Sequence, residues 1–207
     1  MSIAKERVIV YIDGFSLYNG LKSMKWKYYY WLDLKKLCEN LIDEYKILVD
    51  IRYFTSHVRD NASKERRQSA FLKAQEIVNG IIPIYGFYNL VKDECEKCKN
   101  IRVFPKEKAT DTNIAIKMLM DALDNKFDTS FLITGDEDFV PLIQAIRASP
   151  FNKKAAIVFP PMRTSDKLKN VANYPLHVSK RVLRNSLLPE EIPLPDGTKL
   201  VRPTSWV

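Results

Sequence analysis

Histidine is scarce in this chain, with 2 in 207 residues, and cysteine nearly as scarce, with 3. Two histidines leave little room for a mechanism built on imidazole general bases. Cys38, Cys95 and Cys98 do not make a disulfide framework, which agrees with a reducing compartment. No apolar stretch approaches the length of a membrane span, and the opening residues show no signal-peptide layout, so a cytoplasmic protein with no membrane partner is expected. The glycine patterns of nucleotide and acyl chemistry are absent too: there is no P-loop, no G-x-G-x-x-G and no G-x-S-x-G elbow. Nor is there an internal repeat or a low-complexity tract.

The chain is long enough for one sizeable α/β domain with extensions and too short for two domains of ordinary size. At 46% hydrophobic and 28% charged residues it has a globular composition. The formal net charge of +8 favours a polyanionic partner such as RNA or DNA, although many basic proteins bind nothing anionic.

Val8-Ile9-Val10-Tyr11-Ile12 is a short β-branched run closed by Asp13-Gly14, the pattern of a strand buried on both faces. A helix is expected from Phe15 to Met24, followed by the basic and aromatic stretch Lys25 to Trp31, which suits either a stacking platform for bases or an aromatic lid on the core. From Asp33, a plausible cap, Leu34, Leu37, Cys38 and Leu41 repeat at helical spacing. Ile47 to Phe54 reads as the second strand, Asn61 to Asn79 as a helix with a basic opening turn, and Ile81 to Tyr88 as the third strand. A hydrophilic insertion near 92–104 carries Cys95 and Cys98 and reads as a hairpin. Its lone C-x-x-C is a weak Zn²⁺ signal, because a structural site wants four ligands. Thr110-Asp111 opens a further helix, Phe131 to Ile133 is a strand, Phe139 begins another helical stripe, and Ala155 to Phe159 is the fifth strand. A short helix from Ser165 and a small strand near 175–178 follow, and the stretch 186–207 is a Pro-rich arm.

Strands alternating with helices predict an α/β fold with a mostly parallel sheet of five or six strands between two helical layers. Every strand end and following helix start then lies along one edge, where ligands bind at the topological reversal. Asp13, Asp136 and Asp138 follow strand ends, and Asp111 stands at a helix start. With a strand order near 3-2-1-4-5, Asp13 faces Asp136 and Asp138 across that crevice. Carboxylates repel one another unless a cation or proton sits between them, so Mg²⁺ or Mn²⁺ is the expected cofactor and phosphodiester chemistry the expected use. Helix capping by Asp111 and Asp138 remains an alternative role.

Three ordered segments carry a family resemblance: Tyr11-Ile12-Asp13-Gly14-Phe15-Ser16-Leu17-Tyr18-Asn19, Glu107 to Ala115, and Phe127 to Phe139 with Thr134-Gly135-Asp136-Glu137-Asp138. Together with Ile157 to Pro161 they resemble the NYN domains of the LabA-like group, within the PIN-like nucleases. The resemblance implies a PIN-like three-layer α/β/α sandwich over residues 1–185 and a metal-dependent ribonuclease centre at Asp13, Asp111, Asp136 and Asp138. It also implies that Asn19 and Thr134 lie near the site as polar positioning groups. Lys117 departs from the pattern, since many relatives carry an acid six residues after the position of Asp111, and this puts a second metal in doubt.

The leading expectation is an endoribonuclease using Mg²⁺ or Mn²⁺, with Asp136 a direct ligand and Asp138 acting partly through water. Lys22, Lys25, Lys27, Arg59, Lys64, Arg66, Arg67 and Arg163 are candidates for backbone contacts to single-stranded or structured RNA, and Trp26 or Tyr28 for stacking a base. Competing readings are an RNA- or protein-binding module that does not cut and, more remotely, a small-molecule phosphohydrolase. DNA as partner and self-association remain open.

Overall fold

A computed structural model describes residues 4–58, 61–94, 98–148 and 150–206. Its central sheet follows from strands that are apolar on both faces. In β1 (Glu6–Asp13), Val8 to Ile12 are at most 1% exposed. Because side chains alternate along a strand, Val8, Val10 and Ile12 enter one core while Ile9 and Tyr11 enter the other. β6 (Thr129–Ile133) and β7 (Lys154–Phe159) divide in the same way.

The sheet also contains β2 (Lys46–Thr55), β3 (Ile84–Tyr85) and β8 (Tyr174–His177). Its order is β3-β2-β1-β6-β7-β8, with every neighbouring pair parallel. Counting only these strands along the chain, the order is 3-2-1-4-5-6, the expected arrangement with one more strand at the edge. One core packs α1 (Gly14–Ser23), α2 (Leu34–Glu39) and α3 (Ala62–Asn79) against the sheet. The opposite core packs α4 (Thr110–Leu123), α5 (Val140–Arg147) and α6 (Asp166–Val171). The protein is therefore a three-layer α/β/α sandwich. Asp33 caps α2 as expected, accepting from the Lys36 amide at 3.0 Å.

Two segments differ from the expectation. The third strand is only two residues long: Pro83 has no amide to donate before it, and Phe87 leaves the sheet to start β4 (Phe87–Glu94), which pairs antiparallel with β5 (Ile101–Lys108). The Pro-rich stretch folds back as β9 (Glu191–Pro193) and β10 (Lys199–Val201), an antiparallel pair. Ile192 and Trp206 bury against Trp31 and Ala74, and the Trp31 indole donates to the Pro189 carbonyl at 2.7 Å. That contact occupies the aromatic stretch from the core side, so Trp31 is a packing residue. Among the described residues no helix is long and apolar enough to cross a membrane.

Away from the strand ends, fully buried Asp121 on α4 accepts from the Tyr11 hydroxyl at 3.0 Å and pairs with Lys117 at 3.1 Å and Lys126 at 3.2 Å. Burial alone pushes this carboxyl up, but the bonds from Lys117, Tyr11 and Lys126 more than reverse it, holding it below the usual carboxylate range. A depressed native pKa adds stability above the unfolded value and loses it as pH falls through the native one. Lys117 and Lys126 are partly exposed and can rehydrate, whereas the buried Tyr11 hydroxyl cannot. Asp121→Ala is expected to cost about 1–3 kcal/mol, the cost of one buried unpaired polar group, in chemical denaturation near neutral pH. Asp121→Asn, which retains an acceptor for Tyr11, is expected to cost less, with its deficit narrowing in strong acid.

Candidate active site

The strand order reverses between β1 and β6, and the crevice beyond their C-terminal ends is where an open α/β sheet accommodates ligands. Asp13 ends β1 and caps α1, its Oδ1 accepting the Ser16 amide at 3.0 Å. Its Oδ2 accepts the Thr134 hydroxyl at 2.9 Å, and the Thr134 oxygen in turn accepts the Asp136 amide at 3.2 Å. The Ser16 hydroxyl accepts the Gly135 amide at 3.0 Å. These bonds tie two segments separated by 121 residues of chain into one fixed edge. Glycine is needed at 135 because a Cβ there would stand 2.6 Å from the Arg163 carbonyl oxygen, so the β6 and β7 loops meet backbone to backbone.

The resulting cavity, about 390 Å³, is lined by the acids Asp13, Asp111 and Asp136, by Ser16, Asn19 and Phe15 from the first segment, and by Arg163 from the loop after β7. Asp13 is 5% exposed. Burial raises its pKa, and the nearby Asp136 carboxylate raises it further, while bonds from Ser16 and Thr134 partly offset both. Glu137 also lines the cavity but is engaged: it accepts from Ser165 at 2.9 Å and pairs with Lys167 at 2.7 Å, which holds it below the usual carboxylate range.

Of the expected acids, Asp13, Asp111 and Asp136 thus share one cavity. Asp138 is exposed beside it and does not line it; its amide donates to Asp136 Oδ1 at 3.0 Å, so Asp136 caps the 137–139 turn. The residue preceding α4 is Ala109, in a left-handed conformation with φ 70°. That places Asp111 in the first helical turn, where the helix dipole favours a carboxylate. Asn19 lines the cavity, whereas Thr134 is fully buried and orients Asp13 and Asp136 from behind. Lys117 points to Asp121 rather than the cavity.

Lys22, Lys25 and Lys27 are exposed at and beyond the end of α1. Trp26 is half-buried beneath Lys180, 5.5 Å from its ring, and Arg202 lies 4.6 Å over the Tyr28 ring. Arg66 and Arg67 bond within the first turns of α3, to the Ala62 carbonyl and the Ser63 hydroxyl, outside the cavity wall. Cys98 is an exposed free thiol, and Cys95 and Arg59 lie outside the described residues. Ser16 and Phe15 also belong to the site. Helical spacing after Asp13 places Ser16 at the third helical position, but the bond to Gly135 is a tertiary contact that no local pattern announces.

Among the described residues no three Asp, Glu, His or Cys side chains converge closely enough to hold an ion alone. The donors still suit a hard cation, since Mg²⁺ commonly takes one or two carboxylates and completes its shell with water and substrate phosphate. A buried acid of raised pKa beside a second acid is a place that a cation or a proton would relieve. Asp13 and Asp136 are the residues that would hold it, with Asp111 on the same cavity lining.

Comparison with known proteins identifies the family. The NYN domain family matches residues 7–179, and the chain belongs to that family, a branch of the PIN-like nuclease superfamily. The 6-hydroxy-3-succinoylpyridine 3-monooxygenase HspA of Pseudomonas putida is 26% identical over 242 aligned positions, spanning 97% of this chain and 75% of that protein. A crystal structure of a protein of unknown function from Vibrio parahaemolyticus is similar with a TM-score of 0.58 at 19% identity, covering 91% of this chain and 99% of the other. That likeness is one of fold.

Because the native pKa of Asp13 is raised, the folded state binds more protons than the unfolded state above the usual carboxyl value, so stability falls as pH rises through that window. In chelator at about pH 7.5, Asp13→Asn, which keeps a capping side chain, is expected to melt above the parent protein. The gap is expected to close as pH falls below the carboxylate range. Thermal melts across pH, with and without Mn²⁺, check this, and Mn²⁺ is expected to raise only the parent Tm.

Proposed function

We propose that this NYN protein is a Mg²⁺- or Mn²⁺-dependent nuclease that hydrolyses phosphodiester bonds of RNA at the cavity between β1 and β6. The observation that carries the reading is the convergence of Asp13, Asp111 and Asp136 on one cavity at the sheet reversal, with Asp13 buried and its pKa raised. A divalent cation bound there would supply charge to offset that of the scissile phosphate and would lower the pKa of an attacking water.

The chain's own groups set the geometry around that chemistry. Thr134 holds Asp13 and the Asp136 backbone in register, and Ser16 locks Gly135, so the carboxylates are oriented before substrate arrives. Asn19 offers a neutral polar group on the same lining, and Arg163, which also lines this otherwise acidic cavity, would supply positive charge for a phosphate. Hydrolysis forms one bond from water oxygen to phosphorus, breaks one P–O ester bond, and returns a proton to the leaving oxygen.

A second reading is that the chain is a monooxygenase acting on a substrate such as 6-hydroxy-3-succinoylpyridine, as the name of the Pseudomonas putida relative states for that protein; such a step would consume O₂ and a two-electron reductant, with the second oxygen atom leaving as water. Its support is an alignment at 26% identity over 97% of this chain and 75% of that protein. A non-cutting binding module is the remaining alternative; Lys117, paired with Asp121 away from the cavity, does not bear on it.

End-labelled single-stranded RNA incubated with Mn²⁺ tests the proposal. Cleavage that stops in EDTA and falls at least about 100-fold in both Asp13→Asn and Asp136→Asn is the expected result, on the scale of losing one preorganised charged group. Undiminished cleavage by both variants contradicts it. Conversion of 6-hydroxy-3-succinoylpyridine without RNA cleavage would favour the second reading, and RNA binding without turnover the third.

A further inference from the structure

From Gly14 to Leu32 the chain has no Asp or Glu, three lysines (Lys22, Lys25 and Lys27) and a dense set of aromatic rings. The first part of this segment is α1, which starts at the wall of the acidic cavity. Its outward face reads Phe15, Tyr18, Asn19 and Lys22, spaced i, i+3, i+4 and i+7, so the four lie on one side of the helix. Phe15 is 37% exposed and lines the cavity; Tyr18 is 42% exposed one turn on. Lys22 is exposed a turn further, and Lys25 continues the run beyond the helix end.

Exposed aromatics scattered singly need no explanation, but here two share a face that runs from an acidic cavity to a group of lysines. Tyr18 rests against Tyr30, with ring centroids 5.1 Å apart at 50°, so the ring is supported from one side while the residue stays exposed. The rings further along differ in place: Trp26 is half-buried under Lys180, and Tyr28, exposed but with Arg202 over its ring, lies in the turn after α1 and not on its outward face. Side chains at i and i+3 of a helix stand about 5–6 Å apart, close enough to serve neighbouring bases of one strand. The acids of the cavity repel a polyanion, so a strand entering there needs positive charge next to the cavity, which Lys22 and Lys25 provide.

We propose that this face of α1 is a track for a single-stranded polynucleotide, with Phe15 and Tyr18 stacking successive unpaired bases beside the cavity and Lys22 and Lys25 holding the backbone beyond them. The assignment rests on the nuclease reading for its purpose, but it concerns binding and is measured without turnover. A duplex keeps its base faces stacked internally and cannot offer them to Phe15 and Tyr18, so the track selects unpaired segments. Recognition by ring stacking alone is tolerant of sequence, which makes the substrate class unpaired regions rather than a defined motif.

Fluorescence anisotropy in EDTA tests this with labelled oligo(U), oligo(dT) and a blunt RNA duplex. The parent protein is expected to bind the single strands more tightly than the duplex, with an affinity that falls steeply as salt rises. Phe15→Leu and Tyr18→Leu, which keep bulk and lose the stacking face, are each expected to weaken single-strand binding roughly tenfold and leave duplex binding unchanged. Phe15→Tyr and Tyr18→Phe are expected to retain it. Single-strand binding unchanged in both leucine variants, or a duplex bound as tightly as a single strand by the parent protein, overturns the track. Metal-dependent RNA cleavage by the parent protein together with unaffected leucine variants would remove the track and keep the nuclease. Tight, ring-dependent single-strand binding with no cleavage under Mn²⁺ would do the reverse.

Discussion

The Asp13 carboxylate is placed where a charge is expensive: at the end of the central strand, almost fully buried, with a second carboxylate nearby. Much of the surrounding structure serves to keep it there. The Ser16 amide and the Thr134 hydroxyl each spend a hydrogen bond on it, and the parallel pairing of β1 with β6 brings Thr134 to it across the chain. Gly135 lets the neighbouring loop approach to backbone contact and so brings Arg163 to the rim. A fold that merely needed a helix cap at this point could use a serine or asparagine without burying a charge. On the proposed reading, the buried acid would serve a site that works on cations and phosphates.

The acid cavity and the basic α1 face divide one electrostatic problem. Carboxylates that suit a divalent cation repel the polyanion that would be the substrate, and a net charge of +8 spread evenly would not bring a strand to one particular edge. In the proposed track, Lys22 near the end of α1 with Lys25 and Lys27 just beyond it, and no acid from Gly14 to Leu32, would give that attraction a direction. The remote cluster around Asp121 is a different device: its lysines neutralise a buried acid within the fold, which removes Lys117 from the site it was suspected of altering.

What the sequence could convey was governed by distance along the chain. Val8 to Ile12 closed by Asp13, and Phe131 to Ile133 followed by Thr134 to Asp136, are local patterns, and a buried parallel strand ending in an acid is readable from either alone. The topological rule for open α/β sheets then places the two ends side by side, and the observed order agrees with it. Tertiary bonds were not readable. Ser16 to Gly135, Trp31 to Pro189 and Tyr11 to Asp121 each depend on a partner that no window of sequence identifies. The same limit explains the third strand and the Pro-rich segment. Phe87 looked like the continuation of a strand until the β4–β5 pairing claimed it, and the proline spacing concealed a hairpin whose stability comes from Trp206 and Ile192 meeting Trp31.

The central claim is that the carboxylates of Asp13 and Asp136 form a divalent-cation site at the reversal of the sheet. Crystals soaked in Mn²⁺ and measured at the manganese absorption edge address it directly. The account predicts an anomalous peak within coordination distance of both carboxylates, lost in Asp13→Asn crystals treated identically. An empty cavity at saturating Mn²⁺, or a peak that persists unchanged in the variant, would contradict it.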